Sequence, residues 1–428
     1  MQKVFLFLLL SIVLIPNLVA QNFDSLFINR TLRVDYMFSG DSLHQSISLD
    51  EMSSSPLWAG RRHHLDSLFQ KGNGQIFMHD EATGKLIYCN SFSTLFQEWL
   101  LTSEAAHQRK AFENSFLLPM PKRPSLVSIQ LTNNRQQVVA QYSHRIDPSD
   151  ILIRKFDSKP IPSHRYLYKG GEEEKCIDIA IVAEGYTQNE INVFYEDARI
   201  AMESLFAHEP FKKMKERFNI VAVALSSTES GVSVPSKGVW KQTALGSHFD
   251  TFYSERYLTT PNIKTMHNAL APLPYEHIIV LANTETYGGG GILNSYTLTT
   301  THNSNFRPVV VHEFGHSFCG LADEYFYDDQ HAVWYPLDVE PWEKNITTLV
   351  DFDKKWKDML PNNASIPGKP SGKLADAFTK IGVYEGAGYQ SKGVYRGLDR
   401  CRMRDNEAPS FCAVCQRALQ NLILYYTE

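Results

Sequence analysis

The sequence predicts a multidomain protein: an N-terminal all-β sandwich followed by an α/β domain. Three observations carry that reading. Residues 21–163 are dominated by short alternating segments punctuated by Gly, Asn, Asp and Pro. From Cys176 onward the apolar runs become continuous and are separated by segments of helical period. Between them, DSKPIPSHRYLYKGGEEEK (157–175) has the prolines, paired glycines and acidic run of a linker. A chain of 428 residues, at ~100–200 residues per domain, accommodates such an arrangement with ample core.

The first 20 residues stand apart. Lys3 precedes the apolar run VFLFLLLSIVLI, then PNLVA and Gln21. A basic start, an apolar core and a small residue at the end describe a secretory signal peptide cleaved after Ala20. An anchoring helix needs ~20 apolar residues, and this run breaks sooner, at Pro16. No cysteine follows it to carry a lipid, and no later stretch is apolar enough to span a membrane. The expectation is an exported protein: periplasmic, cell-surface or extracellular.

Within residues 21–163 the strand candidates are TLRVDYMFSG, GQIFMHD, GKLIYCNSF, SLVSIQLTN and RQQVVAQYSHRI. One helical insertion is expected over residues 95–114, where EWLLTSEAAHQRKAFEN is rich in helix formers. In residues 164–428, CIDIAIVAEG reads as a strand buried on both faces. Thr187 and Glu190 then have the spacing of a capping box before the helical EINVFYEDARIAMESLFA. FNIVAVAL and HIIVLAN are two further buried strands, so this half begins as strand–helix–strand.

Composition excludes some functions. The formal net charge is −5 and basic residues form no long runs, so the footprint of a nucleic-acid binder is missing. An aromatic share of 12% argues against long disordered regions. Six cysteines are too few for a disulfide scaffold in a chain of this length.

The chemistry concentrates in HEFGHSFCGLADEY (312–325). Pro308 suits the first turn of a helix, the valines at 309–311 give an apolar lead-in, and Gly320 is a natural stop. Residues four apart share a helix face, so His312 and His316 can present imidazole nitrogens to one zinc ion. Glu313 is placed to take a proton from the attacking water. The bland alternative is a structural histidine pair. The apolar helix, the export signal and the following glycine and carboxylates favour catalytic zinc.

The third ligand requires more argument. In HExxHxxGxxH sites the glycine comes three residues after the second histidine. Here Gly320 comes four after His316, and the third-histidine position holds Ala322, which cannot bind metal. One extra residue shifts the ligand to Asp323, with Glu324 as the competitor. Glu343 and Glu385 could serve from a later helix, but neither lies in a helical pattern.

Downstream, CRMR contains Met403, a candidate for a methionine turn beneath the metal. Cys401, Cys412 and Cys415 cluster around it. A structural zinc on the CAVC pair lacks a clear fourth ligand, and export favours disulfides tying this turn to the segment after it. Upstream, Gly289, Gly290, Gly291 and Ile292 belong to YGGGGILNSYT, a segment expected to form a substrate rim where a peptide adds as a strand. Tyr325, Tyr384 and Tyr389 are candidate oxyanion donors.

Taken together, VAEGYTQNE, YGGGGILNSY, HEFGHSFCGLADEY and CRMR…FCAVC resemble, in order, the IgA peptidase family of zinc metalloendopeptidases. The region before them resembles the β-sandwich that precedes the peptidase in bacterial members. The resemblance implies a metzincin-like fold, one catalytic Zn2+, peptide-bond cleavage, His312, His316 and Asp323 as ligands and Glu313 as base. It does not imply immunoglobulin A as substrate. Two rival readings remain open at this point: a non-catalytic zinc-fold adhesion protein, and a metallohydrolase cutting cell-wall peptide amides.

Overall fold

The structure is a computed structural model that describes residues 22–328, 333–370 and 372–428. The expected signal peptide, residues 1–20, lies outside the described residues.

After a one-turn helix α1 (Phe23–Leu26), the N-terminal region builds two four-stranded sheets. Its strands are β1 (Phe27–Gly40), β2 (Gln45–Ser55), β3 (Gly74–Asp80), β4 (Leu86–Phe92), β5 (Lys110–Pro121), β6 (Ser125–Thr132), β7 (Val138–Ile146) and the short β8 (Arg154–Lys155). One sheet has the order β5-β1-β2-β8 and the other β4-β3-β6-β7. Their facing side chains share one core, with Leu32, Val34, Tyr36 and Phe38 of β1 meeting Ile76, Met78, Val127 and Ile129. Each such side chain fully buried contributes about 1.5–3 kcal/mol.

The other face of β1 is buried too, because the second half of the chain covers it. Arg33 pairs with Asp35 at 2.9 Å and reaches Asn268 Oδ1 at 2.8 Å, on helix α4 (Ile263–Leu270). Lys264 of the same helix bonds Asp50.

The helical insertion expected over 95–114 is much shorter. Helix α2 covers only Leu95–Trp99, capped by Thr94, and Lys110 already begins β5. Residues 110–121 pair antiparallel with almost the whole of β1. A dozen residues of ladder and a shared core outweigh a helix propensity of tenths of a kcal/mol per residue.

Part of the expected linker is also ordered structure. β9 (His164–Lys169) pairs antiparallel with β11 (Phe218–Val223) at the edge of a six-stranded sheet. That sheet has the order β13-β14-β12-β10-β11-β9, with β10 at Ile177–Glu184, β12 at His277–Ala282, β13 at Gly289–Ile292 and β14 at Tyr296–Thr300. β10 lies parallel between β11 and β12. Ile177, Ile179 and Ile181 enter one core, against α3 (Ile191–Phe206), α5 (Phe306–Cys319) and α7 (Ala413–Thr427), while Ala180 and Val182 enter another beside α4. Two covered faces explain the unbroken apolar run. The capping box forms: the Thr187 side chain and the Glu190 carboxylate satisfy each other's backbone ahead of α3.

A small fourth sheet completes the fold. It joins β15 (Phe326–Tyr327), β16 (Ile346–Thr347), β17 (Tyr384–Ala387) and β18 (Tyr389–Arg396), with the short α6 (Leu374–Thr379) beside it in sequence. The disulfides expected near the C-terminus do not form. All six cysteines are free thiols, and the Cys401 and Cys415 sulfurs stand 3.7 Å apart, beyond the ~2.05 Å of a bond. Among the described residues no helix is long and apolar enough to cross a membrane.

Candidate metal centre

Helix α5 is buried almost all round, because it packs on β13 and β14, on α3 and on α7. Its His312, Glu313 and His316 form a partly open patch along one face. Gly320 ends the helix with φ 57°, and its N–H bonds the His316 carbonyl while Leu321 N–H bonds that of Gly315. This left-handed cap turns the chain back toward the histidines.

The turn delivers Asp323. His312 Nε2 and His316 Nε2 are 3.0 Å apart, and Asp323 Oδ1 lies 3.1 Å from the first and 3.2 Å from the second. Each imidazole has a backbone acceptor on its other nitrogen. His312 Nδ1 meets the Arg402 carbonyl at 2.9 Å, and His316 Nδ1 meets the Leu321 carbonyl. A neutral ring carries one proton, so these acceptors place it on Nδ1 and leave Nε2 a lone pair. Asp323 Oδ1 receives no hydrogen bond and is buried.

Three lone-pair atoms therefore converge with no proton between them, which is the chemistry of a cation site. Zinc bonds of 2.0–2.1 Å in a tetrahedron imply ligand separations of ~3.3 Å, close to the spacing seen. Without a cation, the cluster must take up protons. Burial opposes a charged His316, yet the Asp323 carboxylate outweighs it and pushes His316 up to about 9. Burial likewise opposes ionised Asp323, and the His316 charge outweighs that and holds it far below the usual carboxylate range. Glu313 is raised, first by burial, with the two histidines working against the shift.

Glu324, adjacent to Asp323, points elsewhere. Its Oε1 accepts from Asn345 Nδ2 at 3.0 Å and from the Cys415 thiol at 3.2 Å. Glu343 accepts from the Tyr335 hydroxyl, and Glu385 from Lys392 and Gly393 N–H. None of the three joins the histidines.

Met403 is fully buried under the helix. Its Sδ lies 2.8 Å from where a Cβ on Gly315 would be, so only glycine lets this contact form. The same turn supports both the histidine helix and the segment after Gly320, since Arg402 holds His312 and the Met403 carbonyl accepts from Glu324 N–H at 2.8 Å.

The three tyrosines separate. Tyr389 donates to Asp323 Oδ2, and the Tyr325 hydroxyl is also directed at Asp323. Tyr384 does not belong to the site: its hydroxyl donates to the Lys380 carbonyl at 3.1 Å. Tyr389 has φ 67°, a conformation costing roughly 1–2 kcal/mol for a non-glycine residue. It is held there by its N–H bond to Tyr325 O at 3.0 Å and by the Gly388 N–H bond to Asp323 O at 2.9 Å.

The glycines of β13, expected as a substrate rim, have a packing role in the structure. A Cβ on Gly291 would stand 2.2 Å from the Glu313 carbonyl oxygen and 2.8 Å from His316 Cβ, and one on Gly289 3.0 Å from Glu313 Oε1. The glycines let β13 press directly onto the histidine helix, while Ile292 is buried in the core beside α4. The outer edge of β13 is engaged at both ends. Gly289 N–H bonds Arg256 O, and the Leu293 carbonyl just beyond it accepts from Ser93 N–H.

Two residues beside the histidine cluster escaped sequence reasoning. Glu98 of α2 lies within electrostatic reach of His316, Glu313 and Asp323, and it accepts the Tyr257 hydroxyl. Burial raises its carboxyl to about 7. No local pattern marks Glu98 or Tyr257, since each is a lone polar residue in a distant segment.

A family model described as IgA Peptidase M64 matches residues 166–380 and 372–423, and one described as Peptidase M64 N-terminus matches residues 22–143. Among solved structures, metalloproteinase-II from Bacteroides fragilis is similar at 12% identity and a TM-score of 0.20, over 53% of this chain and 71% of that one. A likeness at that score carries no argument. No curated protein matches.

Proposed function

The chain belongs to the IgA peptidase M64 family and is a metallopeptidase acting on protein; from that premise we propose an exported, zinc-dependent endopeptidase, with His312, His316 and Asp323 as ligands and Glu313 as general base. The observation that carries this reading is the meeting of two Nε2 lone pairs and one unpartnered carboxylate oxygen within 3.0–3.2 Å.

Two imidazole nitrogens and a carboxylate oxygen are a donor set that would hold zinc, which would supply Lewis-acid polarisation of a water molecule and of the substrate carbonyl. The protein's own residues do the rest. Glu313 accepts the water proton at its carboxylate and passes it to the leaving nitrogen. The absence of a side chain at Gly289 keeps that carboxylate uncovered on the strand side. Arg402 O and Leu321 O hold the two rings in the tautomer that presents Nε2. Tyr389 and Tyr325 fix Asp323 through its carboxylate, so in this arrangement they position a ligand rather than wait for an oxyanion.

The wider architecture follows the same reading. Residues 21–163 are assigned as a β-sandwich accessory domain, supported by two sheets around one core, and residues 164–428 as a metzincin-like peptidase domain. Residues 1–20 are assigned as the export leader. The proposed substrate class is polypeptide in general, not immunoglobulin A in particular.

The test uses residues 21–428. Native protein, Glu313→Ala and His316→Ala are compared for bound zinc and for cleavage of a peptide library. Glu313→Ala should keep its zinc and lose cleavage, whereas His316→Ala should lose both the ion at this site and cleavage. Equal cleavage by native protein and Glu313→Ala would remove the general-base assignment. Failure of the native protein to cleave any peptide would favour a binding role.

A further inference from the structure

We propose that Glu324, Cys401, Cys412 and Cys415 form a second, closed metal site holding a structural zinc ion. All four side chains are buried, and their ligand atoms lie within 4.8 Å of one another. The Cys401 and Cys415 sulfurs are 3.7 Å apart. Two sulfurs bound at ~2.3 Å to one tetrahedral zinc would be separated by ~3.8 Å. Glu324 Oε1 lies 3.2 Å from the Cys415 sulfur.

Glu324 supplies the independent sign of a ligand. It is 0% exposed, and its Oε2 has no hydrogen-bond partner. A fully buried carboxylate oxygen without a donor is costly unless a cation or proton meets it. The carboxylate provides the fourth ligand that the CAVC pair lacks in sequence.

The surroundings are built for thiolates. Cys412 and Cys415 have the two-residue spacing common in structural zinc sites. Cys412 stands at the N-cap position of the 15-residue helix α7 and Cys415 lies in its first turn, where the helix dipole favours negative charge. Cys412 N–H donates to the Cys401 sulfur at 3.2 Å, and Asn345 holds Glu324 Oε1. Three thiolates and a carboxylate around a divalent ion leave residual negative charge. Two buried guanidiniums stand against it, Arg396 toward Glu324 and Arg402 toward Cys401.

This ion would tie three distant segments together: the loop directly after Asp323, the turn carrying Met403, and the final helix. The Glu324 N–H to Met403 O bond already joins the first two. Soft thiolates with one carboxylate in a closed tetrahedral set select zinc over calcium or magnesium.

The experiment starts with the unaltered chain, residues 21–428, freed of metal and reloaded with cobalt(II). A sulfur-to-cobalt charge-transfer band in the near ultraviolet is expected, because this site gathers three cysteines and the proposed catalytic set contains no sulfur. With zinc, about two equivalents should bind per chain, and His316→Ala should keep about one and retain the cobalt band. The double variant Cys412→Ser/Cys415→Ser should lose the band. No sulfur band in the unaltered chain, or a disulfide among the three cysteines by mass and thiol titration, would overturn the proposal. Because those readings need no variant, a misfolded double mutant leaves the answer decidable. Should His316→Ala keep both equivalents while the band persists, the proposed catalytic ligand set fails and this site stands.

Discussion

Gly291→Ala tests the claim that β13 is pressed against the histidine helix. The added methyl would lie 2.2 Å from the Glu313 carbonyl oxygen, 2.8 Å from His316 Cβ and 3.0 Å from the Glu313 carbonyl carbon. Ordinary carbon–oxygen contact begins at ~3.3 Å, so strand and helix must separate by roughly 1 Å. All three atoms in the way are backbone or Cβ, so no rotamer change relieves the clash. Overpacking of this kind costs about 1–3 kcal/mol, or roughly 2–10 °C in melting temperature for a domain of this size. A displacement of ~1 Å at the residues proposed as base and ligand should lower kcat/KM by about 100-fold. The assay is steady-state cleavage of a peptide identified in the library screen, with melting followed by calorimetry. Gly368→Ala is the control, since its nearest neighbour is Ser365 O at 3.4 Å and ordinary contact results. If Gly291→Ala cleaves as well as the control, the close packing of β13 on α5 does not position the site.

Three further outcomes follow from the same geometry. Glu313→Gln keeps the shape and removes the proposed base, so kcat should fall by about 100- to 10,000-fold with bound zinc unchanged by metal analysis. Tyr389→Phe removes the donor to Asp323 Oδ2, and zinc affinity measured by chelator competition should weaken by about 10- to 100-fold. Glu98 titrates at about 7 in the folded chain against its ordinary 4.5, raised first by burial. The folded state thus holds this proton more tightly, so the contribution of Glu98 to stability is full below pH ~4.5 and is lost as pH rises through ~7. Allowing for its partly exposed position, the loss is about 2 kcal/mol. Melting temperature against pH should show this decline in the native chain and a flatter curve in Glu98→Gln; parallel curves would contradict it.

Much of the peptidase half was legible because its signals are local. A continuous apolar run marks a strand covered on both faces, and β10 is one, with alternate residues entering two cores. Thr187 with Glu190, and Gly320 after His316, mark helix ends through bonds spanning a few residues. The misreadings arose where distant pairing overrode local preference. Residues 110–114 have helical composition, yet β1 was available as a partner and β5 formed. His164–Lys169 looked like linker until β11 supplied an edge to join. Arg33 and Asp35 alternate with the apolar residues of β1, and the bond from Arg33 to Asn268 of α4 was not legible in that pattern.

By itself the sequence determined that His312, Glu313 and His316 share one helix stretch, because 3.6 residues per turn leave no other option at that spacing. It also determined that a turn follows at Gly320 and that carboxylates come next. Only the tertiary structure decided that Asp323 meets the histidines while its neighbour Glu324 meets three cysteines. Consecutive residues of an extended segment point to opposite sides, and which side faces which partner depends on everything packed around them. The same holds for Glu98 and Tyr257, and for the gathering of Cys401, Cys412 and Cys415 with Glu324. Those neighbours are set by the burial of entire sheets and helices, a sum that no short window of sequence contains.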